Sequence, residues 1–294
     1  MEFRQLLYVV ELAREKNFSR AAKKLHVAQP SLSQQLSKLE RELGVTLFHR
    51  STSSVELTYA GATFVEKAQK VLDLLDQMRQ EMDDISQLKK GRLVIGSLPI
   101  TGSHVLPRVL PEFKKRYPQI EIVLLEETSS NLEMLTAQGQ TDITLLTLPL
   151  LENSLESVNL IEEEIWLAVP PHHPLAETET AVSLKQLEDE SFIFLKKGQG
   201  FRKIALELCE KAGFQPHIVF ESSNIETVQS LVAAGMGIAF VPQMVTRPEH
   251  SPYVPRYVKI EGSPTRTLVI AWRKGRYLSK AAEAFIATMK EMMK

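Results

Sequence analysis

The residues that interrupt helices are distributed very unevenly along this chain. Of the 13 Gly and 15 Pro among its 294 residues, only Pro30, Gly44 and Gly61 come before residue 90. Because Gly and Pro are the strongest local breaks in regular structure, the first third is predicted to be almost entirely helical. After residue 90, Gly and Pro recur at intervals that are typical of an α/β domain. The length suggests roughly two domains, each large enough to bury its own apolar core.

The whole-chain charge hides a local asymmetry. The formal net charge is −1, from 35 Lys and Arg against 36 Asp and Glu. Residues 1–58 carry nine basic against six acidic side chains, a local +3, whereas residues 59–88 carry three against six, a local −3. The near-zero sum therefore does not exclude a nucleic-acid partner, since it is the local field that attracts one.

Apolar spacing in the first 58 residues predicts a helix-turn-helix. A helix over residues 2–16 is followed by a short helix capped by Ser19, then by a helix entered at Pro30 and ended at Gly44. Val45–Thr58 is predicted to form a β-wing. The outward face of the third helix suits base edges and phosphates in a major groove. It carries Gln29, Ser31, Ser33, Gln34, Ser37, Lys38 and Arg41. The alternative is that these polar side chains only solvate an outer helix surface.

Residues 59–88 have a heptad pattern. Their apolar side chains follow one another at alternating steps of four and three: Phe64, Ala68, Val71, Leu75, Met78, Met82 and Ile85. Such a repeat is typical of a coiled-coil seam, and the sequence therefore predicts a homodimer. A dimer would place two recognition helices on a two-fold DNA site. The alternative is an amphipathic helix that packs on its own globule.

From Gly91 onward, short β-branched runs alternate with helical stretches, which predicts parallel sheets with crossover helices. Roughly 200 residues are enough for two such lobes, and a ligand cleft is expected between them. Several strand ends lead into polar residues beside helix N-termini, a setting that suits an anion. Hydroxyls of Ser97, Thr101, Thr128 and Ser129 are predicted to orient that ligand, and Arg202 to pair with a carboxylate. The alternative is that each hydroxyl caps its own helix.

Other chemistry has little support in the sequence. The single cysteine, Cys209, excludes a disulfide framework, and its apolar neighbours favour a buried residue over a redox sensor. His172–His173 lacks further ligands, so no metal is expected. Gly198-x-Gly200 is too short for a dinucleotide fingerprint, and there is no nucleophile motif, so neither a cofactor nor an enzyme is predicted. No secretion signal or membrane span is recognised, which favours a cytoplasmic protein.

Two stretches carry a family signature. AAKKLHVAQPSLSQQLSKLERELGVTLFHR (Ala21–Arg50) and VELTYAG (Val55–Gly61) closely resemble the LysR-type transcriptional regulators. GRLVIG (Gly91–Gly96), LPEFKKRYPQIEI (Leu110–Ile122), HPLA (His173–Ala176) and AAGMGIAFVP (Ala233–Pro242) resemble that family's effector domain. The resemblance implies an α/β fold class with an N-terminal winged helix-turn-helix, a long dimerisation helix and a two-lobed effector domain like a periplasmic binding protein.

The resemblance also implies an organisation and a set of partners. The expected domains are residues 1–58 for DNA binding, 59–88 for the linker and dimerisation helix, 91–161 plus 266–294 for effector lobe I, and 162–265 for lobe II. Double-stranded promoter DNA, a small-molecule effector and other copies of the chain are the expected partners, in a homodimer and then a homotetramer.

Single residues carry over by position. Gln29, Pro30, Ser31 and Ser33 match the family's DNA-reading turn and helix, and Arg50 matches a position that contacts the DNA backbone. The expected effector-binding residues are Ser97, Thr101, Gly102, Thr128, Ser129, Arg202 and Thr227. The chain departs from the family at Gln34, where Arg is frequent, and at the wing tip Ser51–Ser54, which lacks basic residues.

The prediction is therefore a DNA-binding transcriptional regulator that responds to a small, anionic effector. The competing hypothesis is a small-molecule-binding protein or enzyme whose helical N-terminus serves only for dimerisation.

Overall fold

The computed structural model describes residues 1–50, 55–85, 91–178, 180–248 and 253–293. The chain forms two compact units. The first comprises Met1–Leu88 with Gln138–Gln140, and the second comprises Lys89–Ala137 with Thr141–Lys294. The wing tip Ser51–Ser54 lies outside the described residues. Within the described part, no helix is both long and apolar enough to cross a membrane.

The first unit is a winged helix-turn-helix followed by a long helix, as the sequence predicts. Its elements, in chain order, are α1 (Phe3–Glu15), α2 (Phe18–Lys24), α3 (Gln29–Leu43), β1 (Phe48–Arg50), β2 (Val55–Leu57) and α4 (Tyr59–Ile85). Each helix buries one apolar stripe. The stripes of α1 and α3 supply Leu12, Leu32, Leu36 and Leu39, all fully buried.

Local chemistry sets the ends of these helices. The cap of α2 is Asn17 rather than the predicted Ser19, because the Asn17 side chain accepts a hydrogen bond from the Arg20 N–H (3.0 Å). Pro30 is the second residue of α3 rather than the first, and its missing N–H costs nothing in the first turn. Gly44 ends α3 with a φ of 71°, a left-handed conformation that glycine adopts without strain.

The wing is held to α3 by a side chain. Glu40 Oε1 accepts hydrogen bonds from the backbone N–H groups of Leu47 (2.8 Å) and Phe48 (3.3 Å). β1 and β2 pair antiparallel with Phe48 opposite Leu57. The next helix begins where the sequence predicts, because Thr58 Oγ1 accepts a hydrogen bond from the Gly61 N–H (2.9 Å).

The second unit contains two sheets flanked by helices. Its strands are β3 (Gly91–Ser97), β4 (Ile120–Glu126), β5 (Ile143–Thr147), β6 (Leu155–Val169), β7 (Ser191–Leu195), β8 (His217–Ser222), β9 (Ala239–Pro242), β10 (Arg256–Val258) and β11 (Thr265–Arg273). Its α-helices are α5 (Pro99–Arg116), α6 (Ser129–Ala137), α7 (Gly200–Lys211), α8 (Ile225–Ala233) and α9 (Lys280–Met292).

The sheets are mixed rather than parallel. The larger sheet has the order β10-β6-β11-β5-β3-β4, and β9 pairs with β6 beside this path. β3 is parallel to β4 and β5, as β7 is to β8, but every pairing of β6 and β11 is antiparallel. The prediction of parallel sheets is therefore wrong for β6 and β11. β6 begins at Leu155, and the acidic run Glu162–Glu164 lies within its first ten residues.

The apolar core of the second unit is divided. One cluster joins β3, β5 and the middle of β11 to α5 and α9, with Phe113 and Phe285 edge to face at 5.0 Å. A separate cluster spans residues 165–260 around Phe192. We call these the first and second lobes. β6 enters both, since Ile161 packs on the first cluster and Ile165 belongs to the second. The predicted boundaries at 161/162 and 265/266 fall within β6 and β11 and remain predictions.

A buried ion pair stabilises the first lobe. Arg276 Nη1 lies 2.7 Å from Asp142 Oδ1, both side chains are 3% exposed, and Asp142 Oδ2 accepts a hydrogen bond from the Val94 N–H (2.7 Å). Changing Arg276→Met leaves a buried carboxylate without this cation. We expect it to lower the free energy of unfolding by about 3–5 kcal/mol, measured by urea denaturation of the full chain.

The matched control is Arg116→Met, which breaks an exposed ion pair with Glu291 and so is expected to change stability far less. Equal losses in the two variants would contradict the argument.

Candidate DNA interface and effector site

The predicted DNA-reading residues share the outward face of α3. Gln29, Pro30, Ser31, Gln34, Lys38 and Arg41 are exposed, and Ser33 and Ser37 are half-buried. The opposite face carries the leucines of the core. Arg50 is the last residue of β1, and its side chain lies outside the described part of the structure. The eight α3 positions therefore form one continuous polar surface.

Positive charge on this surface comes from Lys38 and Arg41. Lys38 Nζ is 3.7 Å from Glu2 Oε1 with both groups exposed, a pairing that DNA phosphates can replace. Arg41 Nε donates to the Ser37 carbonyl (3.3 Å). Arg20 and Lys24 of α2 are more strongly engaged, since both are paired with Glu15. Lys24 Nζ lies 2.5 Å from Glu15 Oε1 and holds the pKa of that carboxyl below its usual value.

The heptad positions of α4 divide into two groups. Ala68 is buried and Phe64 packs on the first unit's own core, so the start of the predicted seam is covered within the chain. The later positions Val71, Met78 and Met82 are 40%, 55% and 56% exposed. Leu75 is half-buried, and the side chain of Ile85 lies outside the described part. Leu74, which the heptad reading omits, is 58% exposed. An apolar stripe of Val71, Leu74, Met78 and Met82 therefore faces outward.

Ser97, Thr101 and Gly102 come together where β3 leads into α5. That helix begins at Pro99, since proline is tolerated at the first helical position. All three residues are buried. Ser97 Oγ donates to the Leu98 carbonyl (3.0 Å). A Cβ on Gly102 would lie 3.3 Å from Ser97 Oγ, so glycine permits this close approach of α5 to the strand end.

Thr128 and Ser129 face the loop before α7 in the second lobe. Ser129 Oγ accepts a hydrogen bond from the Gly200 N–H (2.9 Å), so this hydroxyl caps a helix of the other lobe rather than its own. Gly198 has a φ of 89° and lies against Thr128, where a Cβ would be 3.9 Å from Oγ1. The positive φ of Gly198 and the close approach of Gly200 to Ser129, where a Cβ would lie 2.8 Å from Oγ, therefore explain the two glycines of this motif.

Arg202 and Thr227 have different surroundings. Arg202 Nη1 lies 2.6 Å from Glu221 Oε1 and donates to the Leu195 carbonyl (2.5 Å). Its guanidinium thus already has a carboxylate partner from the second lobe. Thr227 is exposed in the first turn of α8. Arg202 and Thr227 therefore belong to neither of the two groups described above, the one of Ser97, Thr101 and Gly102 and the one of Thr128 and Ser129.

Three buried polar residues at the junction of the lobes were not predicted from the sequence: Glu163, Arg266 and Thr147. The signal for Arg266 is present in the sequence, since it is a charged residue at the start of the strand TRTLVIAWR. Cys209 is fully buried, as the sequence analysis favours, and burial raises the pKa of its thiol to about 12. Among the described residues, no cluster of His, Cys, Asp or Glu suits a metal ion.

Comparisons with known proteins cover both units. Residues 3–62 match the family described as "Bacterial regulatory helix-turn-helix protein, lysR family", and residues 86–294 match the "LysR substrate binding domain". The chain belongs to the LysR family. It is accordingly a DNA-binding transcriptional regulator with an effector-binding domain, and not an enzyme.

Relatives and solved structures match over the full length. The uncharacterised regulator YcgK of Bacillus subtilis is 40% identical over 100% of this chain and 95% of that protein. The dual regulator OxyR of Escherichia coli is 32% identical over 100% and 96%. The structure of a full-length OxyR point variant from Pseudomonas aeruginosa has a TM-score of 0.77 at 31% identity, over 100% of this chain and 94% of that one.

The hydrogen bond between the lobes can be tested at Gly200. A Cβ there would lie 2.8 Å from Ser129 Oγ, so Gly200→Ala forces the hydroxyl away and removes the bond. We expect a loss of about 1–2 kcal/mol in the free energy of unfolding, measured by urea denaturation followed by circular dichroism.

Gly91→Ala is the control, since no atom lies within 4 Å of a Cβ at that position. The double variant Ser129→Ala/Gly200→Ala removes the crowding and should lose less than the two single changes together. A Gly200→Ala protein as stable as Gly91→Ala would refute the close contact.

Proposed function

We propose that this regulator acts as a homodimer, and as a pair of dimers, that binds promoter DNA through α3 and responds to a small anionic effector between the lobes of its second unit. The observation on which this rests most directly is the continuous polar face of α3, opposite a fully apolar face. The proposed domain limits are those predicted from the sequence: 1–58, 59–88, 91–161 plus 266–294, and 162–265. Because it binds promoter DNA, we propose that the protein acts in the bacterial cytoplasm.

The polar face supports major-groove binding because of its residue types. Gln29, Ser31, Ser33 and Gln34 offer hydrogen-bond donors and acceptors to base edges, while Lys38 and Arg41 suit phosphates. Pro30 and Ser37 complete the surface, and Arg50 is proposed to contact the DNA backbone beside the wing.

The outward stripe of α4 supports self-association. Exposed large apolar side chains in a row along one helix are stabilised when another apolar surface covers them. A second copy of α4 would present the same stripe, so a two-fold interface can bury both. The seam predicted from the sequence consists of Phe64, Ala68, Val71, Leu75, Met78, Met82 and Ile85. Phe64 and Ala68 are covered within the chain, so we propose that the interchain contact begins at Val71 and includes Leu74.

The effector is proposed to bind among Ser97, Thr101, Gly102, Thr128, Ser129, Arg202 and Thr227. Two helix N-termini, of α5 and α7, support an anion there. Several relatives are named hydrogen peroxide-inducible genes activators. In this chain the one thiol is buried and its pKa is raised, which disfavours the reactive thiolate. We therefore propose a non-covalent ligand rather than thiol oxidation as the signal.

DNA binding is tested with Ser33→Ala on the promoter next to the protein's own gene. Loss of a base-edge hydrogen bond should weaken specific binding by about 1 kcal/mol, or about fivefold in Kd, without changing non-specific binding. Phosphate contacts predict that wild-type affinity falls by roughly a thousandfold as salt rises from about 50 to about 200 mM. Footprinting and a fluorescence titration measure both.

Ser103→Ala, which removes an exposed hydroxyl of the second unit, is the control and should leave binding unchanged. A chain that does not retain duplex DNA even at low salt would favour the competing hypothesis of a ligand-binding protein with a dimerisation arm.

The dimer is tested at Met78, which is 55% exposed in a single chain. Met78→Asp would place two carboxylates in the proposed seam, and we expect the dimer to dissociate at micromolar concentration because buried like charges repel and are poorly solvated. Light scattering measures the mass. Met78→Leu preserves the apolar contact and should remain dimeric, and a Met78→Asp protein of dimer mass would rule out this seam.

A further inference from the structure

Gln34 occupies the centre of the outward face of α3. Successive residues of an α-helix are turned by about 100°, and three buried leucines, Leu32, Leu36 and Leu39, define the inward direction of this helix. By that spacing Gln34 lies about 170° from the mean direction of the leucines, and it is exposed. A side chain in this position points directly away from the core, toward whatever α3 binds.

Two other kinds of polar side chain share this face with Gln34. Ser31 and Ser33 lie toward its two edges, roughly 100° from the leucine direction on either side. Lys38 and Arg41 follow in later turns of the helix. The N-terminal part of a recognition helix meets base edges, whereas lysine and arginine suit phosphates. Gln34, in the second turn, is therefore the long uncharged side chain that is best placed to reach a base.

The other glutamines of α3 are turned away from this direction. Gln35 is half-buried, and its Oε1 accepts a hydrogen bond from Gln5 Nε2 (3.3 Å). Gln29 is the first residue of the helix and lies only about 50° from the leucine direction. Gln34, in contrast, forms no side-chain hydrogen bond with any residue that the structure describes. Its amide is free to pair with a group outside the chain.

The amide of glutamine has a fixed hydrogen-bonding pattern. Its Oε1 accepts and its Nε2 donates, side by side at the end of the side chain. In the major groove, adenine presents N7 as an acceptor and the N6 amino group as a donor, so one glutamine can form two hydrogen bonds with it. Guanine presents two acceptors, N7 and O6, which arginine or lysine matches instead. Cytosine presents a donor and thymine an acceptor, so each engages only one atom of the amide.

We propose that Gln34 reads an adenine in the major groove, so that each α3 that binds DNA requires an A·T pair beneath this residue. The inference rests on the proposed function, in which α3 binds promoter DNA, and adds the base and the residue that selects it. Gln34 Oε1 accepts from adenine N6, and Nε2 donates to adenine N7. Lys38 and Arg41 fix the position of the helix on the DNA backbone without selecting a sequence.

The test begins with the full-length chain and a library of random duplex DNA. Repeated selection of the bound duplexes gives the preferred sequence. Fluorescence titrations at one fixed salt concentration then give the Kd of that duplex and of duplexes in which a single base pair is replaced. We expect an A·T pair in each region contacted by α3 at which replacement by G·C weakens binding about tenfold.

Three variants connect that base pair to Gln34. Gln34→Ala should lose the preference at this position alone and bind the A·T and G·C duplexes equally. Gln34→Arg should prefer G·C there, because arginine pairs with N7 and O6 of guanine. Gln35→Ala is the matched control, since this glutamine of the same helix pairs with Gln5. It should keep the wild-type preference for A·T, and any change in its affinity should be the same for all duplexes.

Altered bases test the two hydrogen bonds separately. Purine in place of adenine lacks the N6 amino group, and 7-deazaadenine lacks the N7 acceptor. Each replacement at the selected position should weaken binding by the wild-type chain about fivefold, the effect of one lost hydrogen bond. Neither should weaken binding by Gln34→Ala, in which the amide is already absent.

The proposal is wrong if Gln34→Ala weakens binding to all duplexes alike, if Gln34→Ala keeps the A·T preference, or if the altered bases affect both proteins equally. A selected sequence whose preferences no Gln34 variant alters overturns this inference alone and leaves DNA binding through α3 in place. A chain that selects no duplex sequence overturns the proposed function itself.

Discussion

The antiparallel pairing of β6 with β11 is the constraint on which the second unit depends. The ladder runs from Glu164 opposite Thr265 to Leu155 opposite Arg273, and the apolar cluster of the second lobe begins at Ile165, directly after it. β6 continues from this ladder into the second lobe, and the register of the ladder is fixed by side-chain alternation. The buried Arg266–Glu163 pair lies directly on this ladder. Such a pair contributes less to stability than well-packed apolar residues would, so its position at the junction calls for a functional explanation.

Close packing between the lobes depends on two kinds of contact. At one side Ser129 caps the N-terminus of α7, and at the other Phe201 of the same helix covers Arg266. α7 therefore touches both the loop that begins α6 and the strand junction. A ligand that competes for the N–H of Gly200 would alter this contact of α7 with the first lobe. In the proposed function, the effector would act on the arrangement of the lobes through that contact.

The sequence predicts what depends on local pattern. Apolar periodicity is enough for the winged helix-turn-helix and for most strands, because a half-buried element repeats its pattern whatever surrounds it. Apolar periodicity fails where contacts between residues far apart in the chain determine the structure. Glu162–Glu164 has the composition of a loop, yet Glu163 is buried because Arg266, far away in the chain, pairs with it. Arg202 suits an effector carboxylate by position, yet Glu221 on the neighbouring strand occupies it. Partners of charged side chains are set by tertiary contacts and leave no periodic signal.

The N-terminal DNA-binding segment, residues 1–58, carries only a weak positive charge, a net +3. Lys24 and Arg20 of this segment are paired with Glu15, and the positive charge of the α3 face comes from Lys38 and Arg41. One such unit would neutralise few phosphates, and each contributes only modestly to affinity. Linking two units raises the effective concentration of the second once the first is bound. The modest surface charge of α3 is therefore consistent with the proposed association of copies through the apolar stripe of α4. In the proposed dimer two α3 faces bind DNA together, which makes the arrangement of the two copies a natural point of control.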